Sequence, residues 1–518
     1  MNKYVYTCHL PDEILKSLNS EGIYCLSCEF ETLYISTLDN INYFYDDGTY
    51  AIIIELPKEN PNLFIHRHDD NIYIETNMFR VLKVYSLYEL STYEELGLNI
   101  QDNKFIMEHA SSKGNFKFLQ MSIDMNLNLN YSKKIIDSVC ENNKLETLKW
   151  WVKSGLELKY SNNALDNASI KGHTEILNFW LNSNLPLKYT NKSLDEAFSD
   201  TKVNSINILD WWINSNLPLK YSHKLIDNLC TYGKIDILNR WVNSGLELKY
   251  TTDAMDLASA HDHIDILNWW VDSGIEIKYS SEAFDIASSD SSTSILNWWL
   301  KSGLELKYTN KSLDWLTYYN VDGPIIETLN WWKESGLEIK YSKILLNKKG
   351  HNIDILNAVL GLGVPLKYSK KCIDNITGKR LESQNIINII KWWMNNNLEL
   401  KYSHEFIDKM FDKKYISVLD WLESINFEFK YSSNAIDSIK NIETLLWWFN
   451  HHYPLKYTNM SIDNAFRRGD INMLNVWLKS GNELKFSKPI MARYSDKVKN
   501  STDWWLSVGL PKEAILFG

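Results

Sequence analysis

Trp150-Trp151-Val152-Lys153-Ser154-Gly155-Leu156-Glu157-Leu158-Lys159-Tyr160-Ser161 is the stretch that decides the fold, because versions of it return to the end of the 518-residue chain. Its tyrosine recurs at positions 131, 160, 189, 221, 250, 279, 308, 341, 368, 402, 431 and 457, and Phe486 takes the place once more. Most intervals are 29 residues. A fixed period of this size marks a repeat array, in which each unit packs only on its neighbours and length sets no limit on the core.

The unit reads position by position from Tyr160. Ser or Thr follows each of these aromatic residues, just ahead of a helix-compatible apolar run. That predicts an N-cap, whose hydroxyl satisfies a free backbone N–H. A first helix with Leu165, Asp166, Ala168 and Ser169 is expected, then a turn at Lys171-Gly172-His173, then a second helix with Ile176, Leu177, Phe179, Trp180 and Leu181 on one broad apolar face. Five residues before the tyrosine stands Gly or Asn, as in Gly155, Asn184, Asn216 and Gly245, with His452 the exception. Gly and Asn accept the left-handed conformation that ends a helix. The link Leu185-Pro186-Leu187-Lys188-Tyr189 alternates apolar residues, as a half-buried extended segment does. Units of other lengths differ only between the first-helix Asp and the Trp, with insertions at residues 198–205, 318–326 and 378–386.

Outside the array the composition bounds the function. The net charge is −10 and the pI about 5.7, which speaks against a nucleic-acid partner, since that affinity rests on Lys and Arg neutralising phosphates. No apolar run approaches the ~20 residues of a membrane span, and the opening residues lack the apolar core of a signal peptide. Cys8, Cys25, Cys28, Cys140, Cys230 and Cys372 are scattered, which predicts free thiols in a reducing, intracellular compartment.

Residues 1–100 contain no Trp and predict a small β-rich domain. Strands are expected at 23–30, 32–37, 50–56, 63–66, 71–75 and 79–85, after a short helix in Leu10-Pro11-Asp12-Glu13-Ile14-Leu15-Lys16-Ser17-Leu18. That helix resembles the opening of an F-box, although strands follow it here. Cys25-x-x-Cys28 with His66-x-His68 is the one candidate zinc arrangement. The second pair is not a standard partner, so free thiols and no metal are expected.

Ala164-Leu165-Asp166-x-Ala168-Ser169-x-x-Gly172-His173-x-x-Ile176-Leu177-x-x-Trp180-Leu181 resembles the ankyrin repeat, with Asp166 where that family has His. The period is shorter than the family's ~33 residues, and the difference comes out of the link, so the fingers between units should be short or absent. The short, Trp-rich form looks like the ankyrin-type proteins of mimivirus-like giant DNA viruses. The resemblance implies a mainly α solenoid of about 14 ankyrin-like units over residues 101–518, with caps near 102–130 and 486–518. It also implies a viral, non-enzymatic scaffold or adaptor that binds host or viral proteins in the host cytoplasm. The alternative is a structural component of a virion or viral factory.

Three rows of side chains run along the array. Trp151, Trp180, Trp212 and their counterparts sit nine residues before the tyrosine and read as core. The position before them, with Trp150, Phe179, Trp211 and Arg240, either seals the seams between units or offers aromatic faces to a partner. Asp137, Asp166 and their counterparts, and Lys159, Lys188 and theirs, form two further rows, read as scaffold charges that pair along the array. No nucleophile elbow, P-loop, H-E-x-x-H or dinucleotide fingerprint is present. No catalytic residue, cofactor, metal, membrane or small-molecule substrate is therefore expected. The first-helix starts vary between units, and His223, Ser281, Lys311 and Trp315 are the candidate partner-binding residues, Trp315 as the hot spot.

Overall fold

Ser161 shows how one side chain both starts a helix and joins two units. The computed structural model describes residues 4–8, 23–25, 33–67, 72–199, 205–317, 322–377, 381–451, 453–487, 490–492, 496–512 and 515–517. In it, Ser161 Oγ accepts the Asn163 N–H at 3.2 Å, the expected cap. The same hydroxyl donates to Asp137 Oδ2 of the preceding unit at 2.5 Å, and the Ser161 N–H donates to Asp137 Oδ1 at 2.9 Å. Asp166 holds Thr190, Asp195 holds Ser222, Asp285 holds Thr309 and Asp463 holds Ser487 in the same two-bond grip. These carboxylates are buried. A buried charge is tolerated only when it is amply hydrogen-bonded, and the next unit supplies the donors.

This corrects the expected pairing of the Asp and Lys rows. Lysines of the row reach tyrosine rings instead. Lys188 Nζ stands 4.2 Å from the centre of the Tyr160 ring, and Lys220 lies over Tyr189, Lys307 over Tyr279 and Lys456 over Tyr431 in the same way. Where the link carries Glu, the lysine also approaches it, as Lys159 does Glu157 at 3.5 Å and Lys249 does Glu247 at 3.6 Å. Tyrosine hydroxyls donate to a carbonyl of the following link, as Tyr160 does to Pro186 at 2.7 Å and Tyr279 to Glu305 at 2.8 Å. Consecutive repeats such as these are thus tied at three points.

Contacts divide the chain into two compact units, Met1–Ala254 and Met255–Gly518. The first begins with strands β1 (Tyr4–Cys8), β2 (Ile23–Cys25), β3 (Leu33–Ile35), β4 (Tyr50–Glu55), β5 (Ile65–Arg67), β6 (Ile74–Thr76) and β7 (Met78–Ser86). They form two antiparallel sheets in the orders β1-β4-β7-β2 and β3-β6-β5. Tyr4, Ile35, Ile52, Ile54, Leu56 and Ile74 make one apolar core between them. The expected strands are present where their residues are described, with 26–30 of the first lying outside them, and β1 is an addition that the sequence did not signal. The helix expected near residues 10–18 lies outside the described residues. The first helix pair, Ile106–Lys113 and Phe116–Asp124, meets the sheet region through His109, whose Nε2 is 2.9 Å from the Tyr45 carbonyl oxygen.

Helix pairs then repeat, as in Asn163–Ile170 with Thr174–Asn182 and Lys224–Thr231 with Ile235–Asn243. The second compact unit continues from Glu282–Ser289 with Thr293–Lys301 to Met460–Arg468 with Ile471–Lys479. Gly155, Asn184, Asn216 and Gly245 have the positive φ expected of helix stops. In the long units the first helix is cut to Lys192–Asp195, Lys311–Asp314 and Lys371–Asp374, and residues 200–204, 318–321 and 378–380 of the inserted turns lie outside the described residues. Among the described residues the links carry no strand. One short parallel pair, β8 (Ile490–Ala492) with β9 (Ile515–Phe517), occurs at the end of the second unit, where the sequence suggested none. The fold is a mainly α helical-repeat solenoid preceded by a small β-rich region.

Trp151, Trp180, Trp212, Trp241, Trp299 and Trp332 are fully buried, as read from the sequence. Several indoles also find a partner in the preceding first helix: Trp151 donates to Ser111 Oγ at 3.0 Å, Trp212 to Ser169 Oγ at 2.8 Å, and Trp332 to Ser288 Oγ at 2.8 Å. Trp180 meets the Cys140 sulfur instead, at 3.3 Å, and burial pushes that thiol up to about 12. The row beside them lies across the seams. Trp211 donates to Asn178 Oδ1, Trp298 to Asn268 Oδ1 and Trp331 to Asn297 Oδ1, at 2.7–2.9 Å, and Arg240 makes the same reach to Asp210. Each is held by one edge across the seam, the three Trp half-buried and Arg240 exposed.

Candidate functional site

The capping hydroxyl fixes where each first helix starts, and the two residues after it stand at the surface. The earlier of the two often reaches forward to the aspartate of its own helix. His223 Nδ1 lies 2.9 Å from Asp227 Oδ2, His404 Nδ1 lies 3.0 Å from Asp408 Oδ2, and Asn191 and Asn310 donate to Asp195 and Asp314 at 2.7 Å. The choice of His or Asn there is tied to a buried carboxylate. The later residue has no such duty, and it varies through Asn163, Lys192, Asp253, Glu282, Lys311, Ile344 and Met460. Glu405 stands at this position, and its hydrogen bond from Lys409, 3.0 Å long, holds its carboxyl below the usual range.

His223 belongs to the first compact unit, and Ser281, Lys311 and Trp315 to the second. Lys311 and Trp315 are brought together, with Lys311 Nζ 4.8 Å from the Trp315 ring centre. The same ammonium is 4.0 Å from Glu282, which is the residue after Ser281. Trp315 is half-buried and follows the four-residue helix Lys311–Asp314. The result is a surface cluster of acid, base and aromatic across two consecutive units. Such a cluster can hydrogen-bond, pair charges and cover apolar surface, which suits recognition.

Among the described residues no group of three or more His, Cys, Asp and Glu side chains is placed to hold a metal ion. Cys25 lies in β2 without a described side chain, and Cys28 and His68 lie outside the described residues. Cys372, like Cys140, has its thiol pushed up to about 12 by burial, which leaves no thiolate for chemistry at neutral pH. Sequence reading missed a further surface feature, a groove of about 620 Å³ between the links that carry Pro186 and Pro218. The signal available was the replacement of the usual link Glu by Pro.

No family model matches the chain. Over 87 residues it is 38% identical to an uncharacterized protein of Acanthamoeba polyphaga mimivirus, a match spanning 17% of this chain and 27% of that relative. Among solved structures, the ankyrin repeat domain of human ASB11 is 12% identical, with a TM-score of 0.29 over 34% of this chain and 86% of its own. The maize pentatricopeptide repeat protein PPR10 is 10% identical, with a TM-score of 0.28 over 82% of this chain and 64% of its own. Its complex with an 18-nt psaJ RNA element matches with the same TM-score over 77% of this chain and 65% of its own. The expectation of no nucleic-acid partner is withdrawn on this finding, since one of these solved structures is a complex with an RNA element.

Proposed function

We propose that the chain is a non-enzymatic scaffold or adaptor that binds other proteins, and that it is a viral protein acting on host or viral partners in the cytoplasm of the host cell. One observation carries the reading. The residues that repeat are spent on one another between units, whereas the exposed first-helix starts differ from unit to unit. Side chains free of packing duty are the ones that a binding surface can vary, and rigid repeats present them without an ordering cost. The Lys311, Glu282 and Trp315 cluster is the proposed centre, since aromatic and basic anchors dominate interfaces. Affinity purification of the tagged full chain from infected host cells should identify a partner. The combined variant His223→Ala, Ser281→Ala, Lys311→Ala and Trp315→Ala should then bind it at least about tenfold more weakly, on the scale of a hot spot. Unchanged affinity in a variant with parental circular dichroism would sink this choice of surface.

A further inference from the structure

We propose that the groove between the Pro186 and Pro218 links binds an extended acidic peptide segment, an inference that rests on the scaffold reading and specifies one of its sites. Asn162, Lys188, Tyr189, Asn191, Lys220 and Tyr221 line it, within a space of about 620 Å³. The lysines are pre-positioned. Lys188 Nζ donates to the Tyr160 carbonyl at 3.2 Å and Lys220 Nζ to the Tyr189 carbonyl at 3.0 Å, and each ammonium rests on a tyrosine ring. An ammonium has three donors, so the carbonyl and the ring leave a donor and the charge for a ligand. What sets this place apart is that two consecutive links lack the acid, which Pro365 and Pro454 replace only singly. In the flanking links Lys159 pairs with Glu157 and Lys249 with Glu247. Pro186 and Pro218 stand where those glutamates do, and among the described residues neither Lys188 nor Lys220 has a carboxylate within ion-pair distance.

The nearby Lys192 and Lys224, both exposed, likewise have no carboxylate partner among the described residues. The acids beneath the floor, Asp166 and Asp195, are buried and committed to Thr190, Ser222 and Asn191. Charge complementarity therefore selects an anionic ligand. The length of the basic stretch selects its kind. It covers two links and is closed by Glu157 on one side and Glu247 on the other, which suits a few spaced carboxylates better than a continuous phosphate backbone. The exposed backbone of the links, which carries no strand, also suits an extended chain.

The test is fluorescence anisotropy of a labelled peptide of alternating glutamate and glycine with the full chain at low salt. Saturable binding is expected, weakened about tenfold when both charges are removed in Lys188→Gln with Lys220→Gln, because buried or focused charge pairs carry effects of that order. Pro186→Glu with Pro218→Glu should weaken it as well, by restoring the acids found in other links while leaving both lysines in place. Lys159→Gln with Lys249→Gln removes equivalent lysines that are already paired, and should leave the affinity as it was. Absence of binding, equal losses in both lysine pairs, or tighter binding of an oligouridylate of the same length would overturn the proposal. If the Lys188 and Lys220 variant still holds a protein partner that the Trp315 variant loses, the groove falls and the scaffold stands. If no variant and no parent retains any partner, the scaffold reading falls whatever the peptide does.

Discussion

Trp332 and Trp448 occupy the same position in two units of the second compact unit, both nine residues before a tyrosine, and both are almost completely buried. Trp332 gives its indole N–H to Ser288 Oγ, which in turn donates to the Ser312 carbonyl at 2.8 Å. Trp448 has no acceptor for its N–H among the described residues. Where Ser288 stands in one unit, Phe411 stands in the other, and its ring centre is 4.8 Å from that of Trp448 in an edge-on arrangement. Trp393 also lacks an acceptor, and at its corresponding place is Gly350, where an added Cβ would strike the sulfur of Cys372. The row is therefore kept for its volume. The hydrogen bond is added where the neighbour allows it, and an aromatic contact replaces it where the neighbour is large.

The comparison can be broken most severely by removing the volume itself. Trp332→Ala and Trp448→Ala should each cost ~3–5 kcal/mol, the price of an emptied aromatic site, and should open the adjoining units together. Hydrogen exchange read by mass spectrometry would localise the opening. Protection unchanged beyond the mutated unit would show that the row does not couple its neighbours.

The Asp grip should matter next. Asp285→Ala removes both bonds to Thr309, 2.8 Å and 2.6 Å long, and is expected to cost ~1.5–3 kcal/mol as lost charge-assisted bonds. The protein contains its own milder version. Asn347 stands in the row and meets the N–H and Oγ of Ser369 at 3.0 Å and 3.1 Å. Asp285→Asn should accordingly lose less than Asp285→Ala in urea unfolding. Equal losses would mean that a neutral amide keeps none of the grip, and that Asn347 is no milder version of it.

These contrasts mark what could be read in advance. Ser161 as a cap and Gly155 or Asn184 as stops were legible, because each acts on backbone within a few residues of itself. The burial of Trp180 was legible from helical spacing. The bond from Ser161 to Asp137 was not, since its partners are 24 residues apart and each also has a sufficient local reading. The same holds for Trp212 and Ser169, 43 residues apart. Periodicity shows that two rows exist and leaves open which row meets which. Of the candidate surface, the variation of the later first-helix residue was visible, whereas the tie of His223 to Asp227 required the fold. The Lys row misled because a lysine near an acidic row suggests ion pairs, and the ring of the preceding tyrosine proved nearer.

The central claim is that units are held by side chains matched across their seams, and one double-mutant cycle with a single-variant control tests it directly. Trp332→Phe, Ser288→Ala and their combination would be compared by urea unfolding with Trp448→Phe, which removes a similar volume and no hydrogen bond. The account predicts a coupling of about 1 kcal/mol between Trp332 and Ser288, the net worth of one such bond, and a cost for Trp332→Phe larger than that for Trp448→Phe by about the same amount. Zero coupling with equal costs for the two Trp→Phe variants would contradict it.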